Sequence, residues 1–391
     1  MARRRGITTV LTLVSLFLAA CTATGGGSRV EITPIDELIT RTWQAYSQRF
    51  IDPDGRVYRP LNDGDTVSEG QAYALLIASL LDDRQTFDKV MRWTRRHLSR
   101  YERTGDHLLA WHWEADKGVI DWNSASDADI DYALALLIAS SRWHDQRYTQ
   151  KARLILRDLL DLETEVVNGR RYLLPGNWRQ ANSRYVVNPS YLSPAHFRVF
   201  FICTGDSRWN DLIDSSYHLI DTVSQDFAGI AGVGLVPDWL RIAPDGTLTH
   251  AEGFSDRFGW DAIRTQWRLG MDALWFGEDR AGRYLATLSD FYAKEWERSG
   301  GRFFAEYSYD GRPTVEYEHV ATYAMSLSAL ATSNSPILEG VLDKLRRRFN
   351  GTAQLFEETD DYYANSLALL GLIFHREART PTIDLQQLDC R

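Results

Sequence analysis

The sequence predicts an all-α fold: a toroid of about twelve helices, with loop excursions forming a cleft at one end. Three observations carry this. Helical patterns recur along nearly the whole chain of 391 residues. Helices that are apolar on most sides alternate with amphipathic ones, as at 68–81 then 84–98, 126–143 then 145–162, and 259–276 then 279–298. Joins within a pair are short, whereas some joins between pairs are long and rich in Gly, Pro and Trp. A helix that is apolar nearly all round must be covered on most sides, so an inner ring needs an outer ring. Some six such hairpins closing on themselves give a toroid with parallel inner helices. The competing open solenoid calls for a fixed sequence period, and none is present.

Taken in order, residues 1–20 read as a signal peptide. Arg3, Arg4 and Arg5 form a basic start, and the apolar run 7–17 is too short for a stable membrane span. The run Leu18-Ala19-Ala20-Cys21 resembles a bacterial lipobox. That resemblance implies cleavage before Cys21 and lipidation of Cys21, with 21–30 as a tether to a bacterial membrane. The expected location is periplasmic or extracellular, with membrane attachment only through the lipid. Cleavage would move the formal charge from −9 to −12 by removing three arginines, which disfavours nucleic acid and acidic polymers as partners.

Residues 31–391 read as one domain. Helices are expected at 35–51, 68–81 and 84–98, then a loop or short hairpin at 101–123. Further helices fall at 126–143, 145–162, 191–204 and 207–225, with a Gly/Pro/Asn-rich excursion at 168–189. An excursion with five glycines, 229–258, precedes helices at 259–276, 279–298, 316–332, 336–349 and 362–376. Cys203 lies in an apolar run and reads as a core residue; a bond to Cys390 is not expected, because nothing else marks the C-terminus as docked there. No histidine has the spacing of a metal site, and no cofactor or metal is expected.

Acids open the expected inner helices. Glu69 follows Ser68, which with Gln71 has capping-box spacing. Asp127 and Asp129 follow Ser126, a good cap. Asp261 precedes Arg264 on the same face. Each acid alone is explained by helix capping and the helix dipole. Together, on buried helices whose N-termini converge, they suit hydrolysis of a glycosidic bond, which needs one protonated and one ionised carboxyl. Glu69 is expected to hold the proton if Asp127 lies close, because neighbouring carboxylates do not both ionise cheaply, and Arg264 is expected to keep Asp261 ionised and to contact substrate. The loop tryptophans Trp111, Trp113, Trp122, Trp178 and Trp239 are expected near the cleft, two or three of them against sugar rings, with Tyr191 able to bond water or sugar.

The run Ala125-Ser126-Asp127-Ala128-Asp129, with Ala133, Ala135, Ala139 and Trp143, resembles the signature of the family 8 glycoside hydrolases, with Tyr132 as a departure. Ser68-Glu69-Gly70-Gln71 and Trp260-Asp261-Ala262-Ile263-Arg264 resemble that family's acid and base motifs, and Asn188-Pro189-Ser190-Tyr191 and Pro237-Asp238-Trp239 match recurring segments in order. Within the family the chain most resembles the periplasmic endoglucanases that accompany bacterial cellulose synthesis. The resemblance implies an (α/α)6 barrel and a metal-free, inverting endo-hydrolase of β-1,4-glucan. Glu69 would be the general acid, Asp261 the base, and Asp127 a grip on the sugar at the cleavage point. A monomer acting near the cellulose export machinery is expected. Chitosan, xylan or mixed-linkage glucan stand as alternative substrates, and a non-catalytic polysaccharide-binding lipoprotein as an alternative class.

Overall fold

A computed structural model describes residues 34–178, 185–357, 359–383, 388 and 390. The leader, Cys21 and the tether lie outside the described residues.

Thirteen α-helices occur among the described residues: α1 (Ile35–Arg49), α2 (Ser68–Leu80), α3 (Arg84–His97), the single turn α4 (Tyr101–Thr104), α5 (Ser126–Trp143), α6 (Gln146–Leu162), α7 (Pro194–Thr204), α8 (Arg208–Gln225), α9 (Thr265–Phe276), α10 (Asp279–Arg298), α11 (Val320–Thr332), α12 (Leu338–Arg348) and α13 (Tyr362–Arg379). Six of them form a closed inner ring, each packing on the next: α2, α5, α7, α9, α11, α13 and back to α2. Each has an outer partner. Five pairs are sequence neighbours, α2 with α3, α5 with α6, α7 with α8, α9 with α10 and α11 with α12. The sixth joins the two ends of the chain, α13 against α1. The fold is an (α/α)6 barrel.

The two rings follow from composition. In α2 every residue except Glu69 is buried, so its apolar surface has no solvent side. In α3, Phe87, Val90, Met91 and Trp93 are buried while Arg92, Arg95 and Arg96 face water. Inner helices also approach closely. A Cβ at Gly371 of α13 would lie 2.3 Å from the Ala324 carbonyl oxygen of α11, so only glycine allows this packing.

Several local expectations are corrected. Ser68 and Ser126 do not cap their helices. Ser126 Oγ instead donates to the Leu174 carbonyl at 2.7 Å. Gln71 forms no capping box; its amide donates to Thr94 Oγ1 at 2.7 Å and accepts from the Val57 N–H, stapling α2 to α3 and the preceding loop. Tertiary partners outcompete the local cap at both places. The helix expected from 259 begins as a 3-10 turn, Ala262–Arg264, and becomes α-helical only at Thr265, so Asp261 precedes the helix. Cys203 and Cys390 are bonded, with Cα atoms 5.0 Å apart. Arg153 donates to both cysteine carbonyls, at 3.0 and 2.6 Å, which docks the C-terminus where no sequence signal placed it.

The excursions carry small antiparallel sheets. One joins Thr66–Val67, His112–Glu114 and Gly118–Asp121; another joins Tyr185–Val187, Leu240–Ile242 and Leu248–His250. Both begin or end beside inner-helix N-termini, so loop residues are held against the mouth of the ring. The Ser68 N–H, for example, donates to the Trp111 carbonyl at 2.9 Å.

Candidate active site

Outer helices α3, α6 and α10 are capped by the side chains of Asp83, Asp145 and Glu278. The inner helices α2, α5, α7 and α9 have no side-chain cap. Their N-terminal dipoles therefore stay available to the acids at the mouth.

One guanidinium organises these acids. Arg264 Nη1 donates to Glu69 Oε2 at 2.6 Å, Asp127 Oδ2 at 3.2 Å and the Tyr73 hydroxyl oxygen at 2.9 Å. Its Nη2 donates to Asp261 Oδ1 at 2.5 Å. Glu69, Asp127 and Asp261, far apart in sequence, meet at one side chain. Arg264 was expected to contact substrate, but its side chain is 1 % exposed, so it lies beneath the acids and holds them. It holds Asp261, as expected, and Glu69 and Asp127 as well.

Exposure separates the acids. The side chains of Glu69 and Asp261 are 21 % and 28 % exposed, and that of Asp127 is 3 % exposed. Glu69 and Asp261 are the two that reach the cleft. Their nearest oxygens can be separated by no more than one guanidinium edge and two hydrogen bonds, which excludes an arrangement too wide to bracket one linkage.

The remaining contacts fix each carboxylate. Tyr362 donates to Glu69 Oε1 at 2.6 Å, so both Glu69 oxygens are engaged. Trp239 Nε1 donates to Asp261 Oδ2 at 2.9 Å. Asp127 Oδ1 accepts its own helix's Ala128 N–H at 2.9 Å. Burial pushes the Asp127 carboxyl up to about 7, with the Arg264 charge opposing and the Glu69 charge reinforcing the rise. Burial thus holds the Asp127 carboxyl towards its neutral form. Burial likewise pushes the Tyr191, Tyr362 and Tyr363 hydroxyls well above their usual range, keeping them neutral donors.

Asp129 turns away from the mouth. Its Oδ1 accepts the Leu109 N–H at 2.9 Å, and it belongs to a buried cluster behind the cleft. There Glu163, pushed up to about 8 mainly by burial, accepts from Ser124 Oγ at 2.6 Å. Ser124 N–H in turn donates to Asn177 Oδ1 at 2.8 Å, which ties the loops bearing Trp122 and Trp178 together.

The aromatic residues divide. Tyr191 lies at the acids, its ring centre 5.4 Å from the Arg264 guanidinium. Trp111 is half-buried beside the start of α2, Trp122 meets the Arg103 guanidinium at 4.9 Å, and Trp178 lies against Gly176. Trp113, expected at the substrate, is instead taken up by an outer-helix cluster: Trp93 at 5.1 Å, His97 at 5.7 Å and the Arg56 guanidinium at 5.4 Å. Trp239, expected to stack on a sugar, uses its indole N–H on Asp261 and packs edge-on to Tyr191.

Three further site residues escaped the sequence reading. Tyr362 and Tyr363 open α13, the position at which other inner helices carry acids, and Tyr363 donates to the Trp260 carbonyl at 2.6 Å. Trp260, 37 % exposed and immediately before Asp261, presents a ring at the mouth and donates to Glu306 at 3.1 Å. Its adjacency to Asp261 was the available signal.

A closed double ring of helices with paired carboxylates and aromatic rings at its mouth defines an α/α-toroid glycosidase. Comparison with known proteins gives the family. The profile of the glycosyl hydrolases family 8 matches residues 11–377, and the chain belongs to that family. It is 30 % identical over 362 residues to endoglucanase A of Acetivibrio thermocellus, covering 87 % of this chain and 69 % of that one. It is 36 % identical over 259 residues to an endoglucanase of Pseudomonas fluorescens, covering 63 % of each. The structure of the endo-β-1,4-glucanase CMCax from Acetobacter xylinum superposes with a TM-score of 0.71 at 25 % identity, covering 88 % of this chain and 100 % of that one. The protein is a glycoside hydrolase.

Proposed function

We propose that the protein is an endo-β-1,4-glucanase that cleaves with inversion, using Glu69 as general acid and Asp261 as general base. The observation that carries this is the pair of solvent-reaching carboxylates held on opposite nitrogens of the buried Arg264. The likeness to endoglucanases, and to the endo-β-1,4-glucanase CMCax, supports the substrate class.

Cleavage needs a proton on the leaving oxygen and a water attacking the opposite face of the sugar. Protonated Glu69 can keep Tyr362 on Oε1 and offer its proton from Oε2 to the glycosidic oxygen. Arg264 then leaves Oε2 and remains on Asp127 and Asp261. Its charge keeps Asp261 ionised to take the water's proton, and Trp239 holds the second Asp261 oxygen. Asp127 steadies Arg264, and its remaining exposure allows at most a contact with one hydroxyl of the sugar at the cleavage point. Trp111, Tyr191 and Trp260 offer flat faces to neutral pyranose rings. No step calls on a metal or cofactor.

The physiological role we assign is trimming of cellulose during its synthesis or secretion, by a monomer anchored through Cys21 in the periplasm or outside the cell and working beside the export machinery. The lipobox-like run at 18–21 supports the anchor, and the acidic net charge suits a neutral polymer. The test is to incubate the purified domain with carboxymethyl cellulose, chitosan and xylan, and to fractionate cells expressing the full chain. The expected results are a rapid fall in carboxymethyl cellulose viscosity and recovery of the chain with membranes. Preference for chitosan or xylan would reassign the substrate, inactivity on all three would overturn the hydrolytic reading, and a fully soluble chain would overturn the anchor.

A further inference from the structure

Asp261 stands at the N-cap of its 3-10 turn, yet its side chain makes no cap there. An aspartate in that position ordinarily spends its carboxylate on the backbone N–H groups just ahead of it. Here the Ile263 and Arg264 N–H groups go to the Gly259 and Asp261 carbonyls, at 3.1 Å each, and a different carboxylate holds the backbone just before them. Asp238 Oδ1 accepts the N–H groups of Gly259, Asp261 and Ala262, at 3.2, 3.0 and 2.7 Å, and its Oδ2 accepts the Ser255 hydroxyl at 2.7 Å. We propose that Asp238 is a positioning residue that pins the backbone entering the turn and so holds Asp261 where its carboxylate faces the cleft. This rests on the reading of Asp261 as the base.

The arrangement is specific to that task. Asp238 is 4 % exposed, so it does not reach substrate. Its own N–H donates to the Arg257 carbonyl at 2.7 Å, and the Trp239 N–H to the Ser255 carbonyl at 3.0 Å, so the dipeptide is fixed to the strand of chain leading into the turn. The two residues then grip Asp261 twice. Asp238 holds its backbone, and the Trp239 indole holds Oδ2 at 2.9 Å while Arg264 holds Oδ1. Gly259 makes room for this: a Cβ there would lie 3.0 Å from Asp238 Oδ2 and 3.4 Å from Glu306 Cγ. A water must sit between Asp261 and the sugar carbon, so a shift of about 1 Å in the base is enough to cost roughly 10²-fold in rate.

The test is steady-state kinetics on a cello-oligosaccharide, with binding of the same oligosaccharide and thermal unfolding measured in parallel, for Asp238→Ala, Asp238→Asn and Gly259→Ala. Asparagine keeps the oxygen that accepts the three N–H groups, and the Ser255 hydroxyl can turn to accept from its amide. Asp238→Ala is expected to lose about 10²-fold in kcat with KM and binding nearly unchanged, and Asp238→Asn to recover most of that loss. Gly259→Ala, which presses on the same carboxylate, is expected to show the same split and stands in if Asp238→Ala does not unfold cooperatively. Undiminished kcat in Asp238→Ala, or an Asp238→Asn as impaired as the alanine variant, would overturn the proposal. Asp261→Asn, assayed alongside, separates the two readings. If it abolishes turnover while Asp238→Ala leaves kcat undiminished, only the positioning role fails; if it retains turnover, the base assignment itself fails.

Discussion

Glu69→Gln should lower kcat on a cello-oligosaccharide by about 10²–10⁴-fold, the range ascribed to general acid–base catalysis, and leave the fold intact. Glutamine is nearly isosteric; its amide oxygen can keep the bond from Arg264 while its NH2 donates to the Tyr362 hydroxyl oxygen, so the hydrogen-bond frame around position 69 survives with one direction reversed. What it cannot do is give a proton to a departing sugar. The loss should therefore shrink on an aryl oligosaccharide whose phenolate leaves without protonation. Equal losses on both substrates would mean that Glu69 does not act on the leaving group.

Arg264→Met should destabilise the protein by about 3–5 kcal/mol at pH 7.5, because it removes the partner of a buried charge. Its bond to Asp127, whose side chain is 3 % exposed, has no water to replace it. Glu69 and Asp261 lose the same counter-charge, and three carboxylates are left facing one another. The deficit should diminish as pH falls. Without the arginine the carboxyls take up protons more readily, and acid relieves their repulsion. Lysine cannot substitute, since a single ammonium does not present two nitrogens to separate acids as a guanidinium does. Urea unfolding of the variant and the parent at pH 5 and pH 7.5 checks both the size and the sign. A deficit that is small, or that grows in acid, would show that the acids do not depend on Arg264.

Glu69 and Asp127 were legible because they break otherwise apolar inner helices in the first turn, a pattern that survives without knowledge of tertiary contacts. The ring itself was legible for the same reason: all-round burial in α2 and α5 demands an outer layer. What could not be read depended on approach between distant segments. Gln71 has the spacing of a capping box, but Thr94 and Val57 offered it buried partners. Arg264 is three residues from Asp261, so the near partner was visible, while Glu69, 195 residues away, was not. Trp113 and Trp111 are indistinguishable as loop tryptophans. Only the irregularity between His112 and Trp113, where the strand register shifts, and the nearby Trp93 send Trp113 to the outer helix. The pairing of α13 with α1 and the Cys203–Cys390 bond both join segments that no local pattern connects.

The central claim is that Glu69 and Asp261 act from opposite faces of one linkage, with a water on the Asp261 side. Proton NMR of the sugar released from a β-1,4-linked oligosaccharide, recorded before mutarotation, reads this directly. The account predicts that the new reducing end appears first as the α-anomer. Initial release of the β-anomer would place a covalent intermediate in the cleft and contradict it.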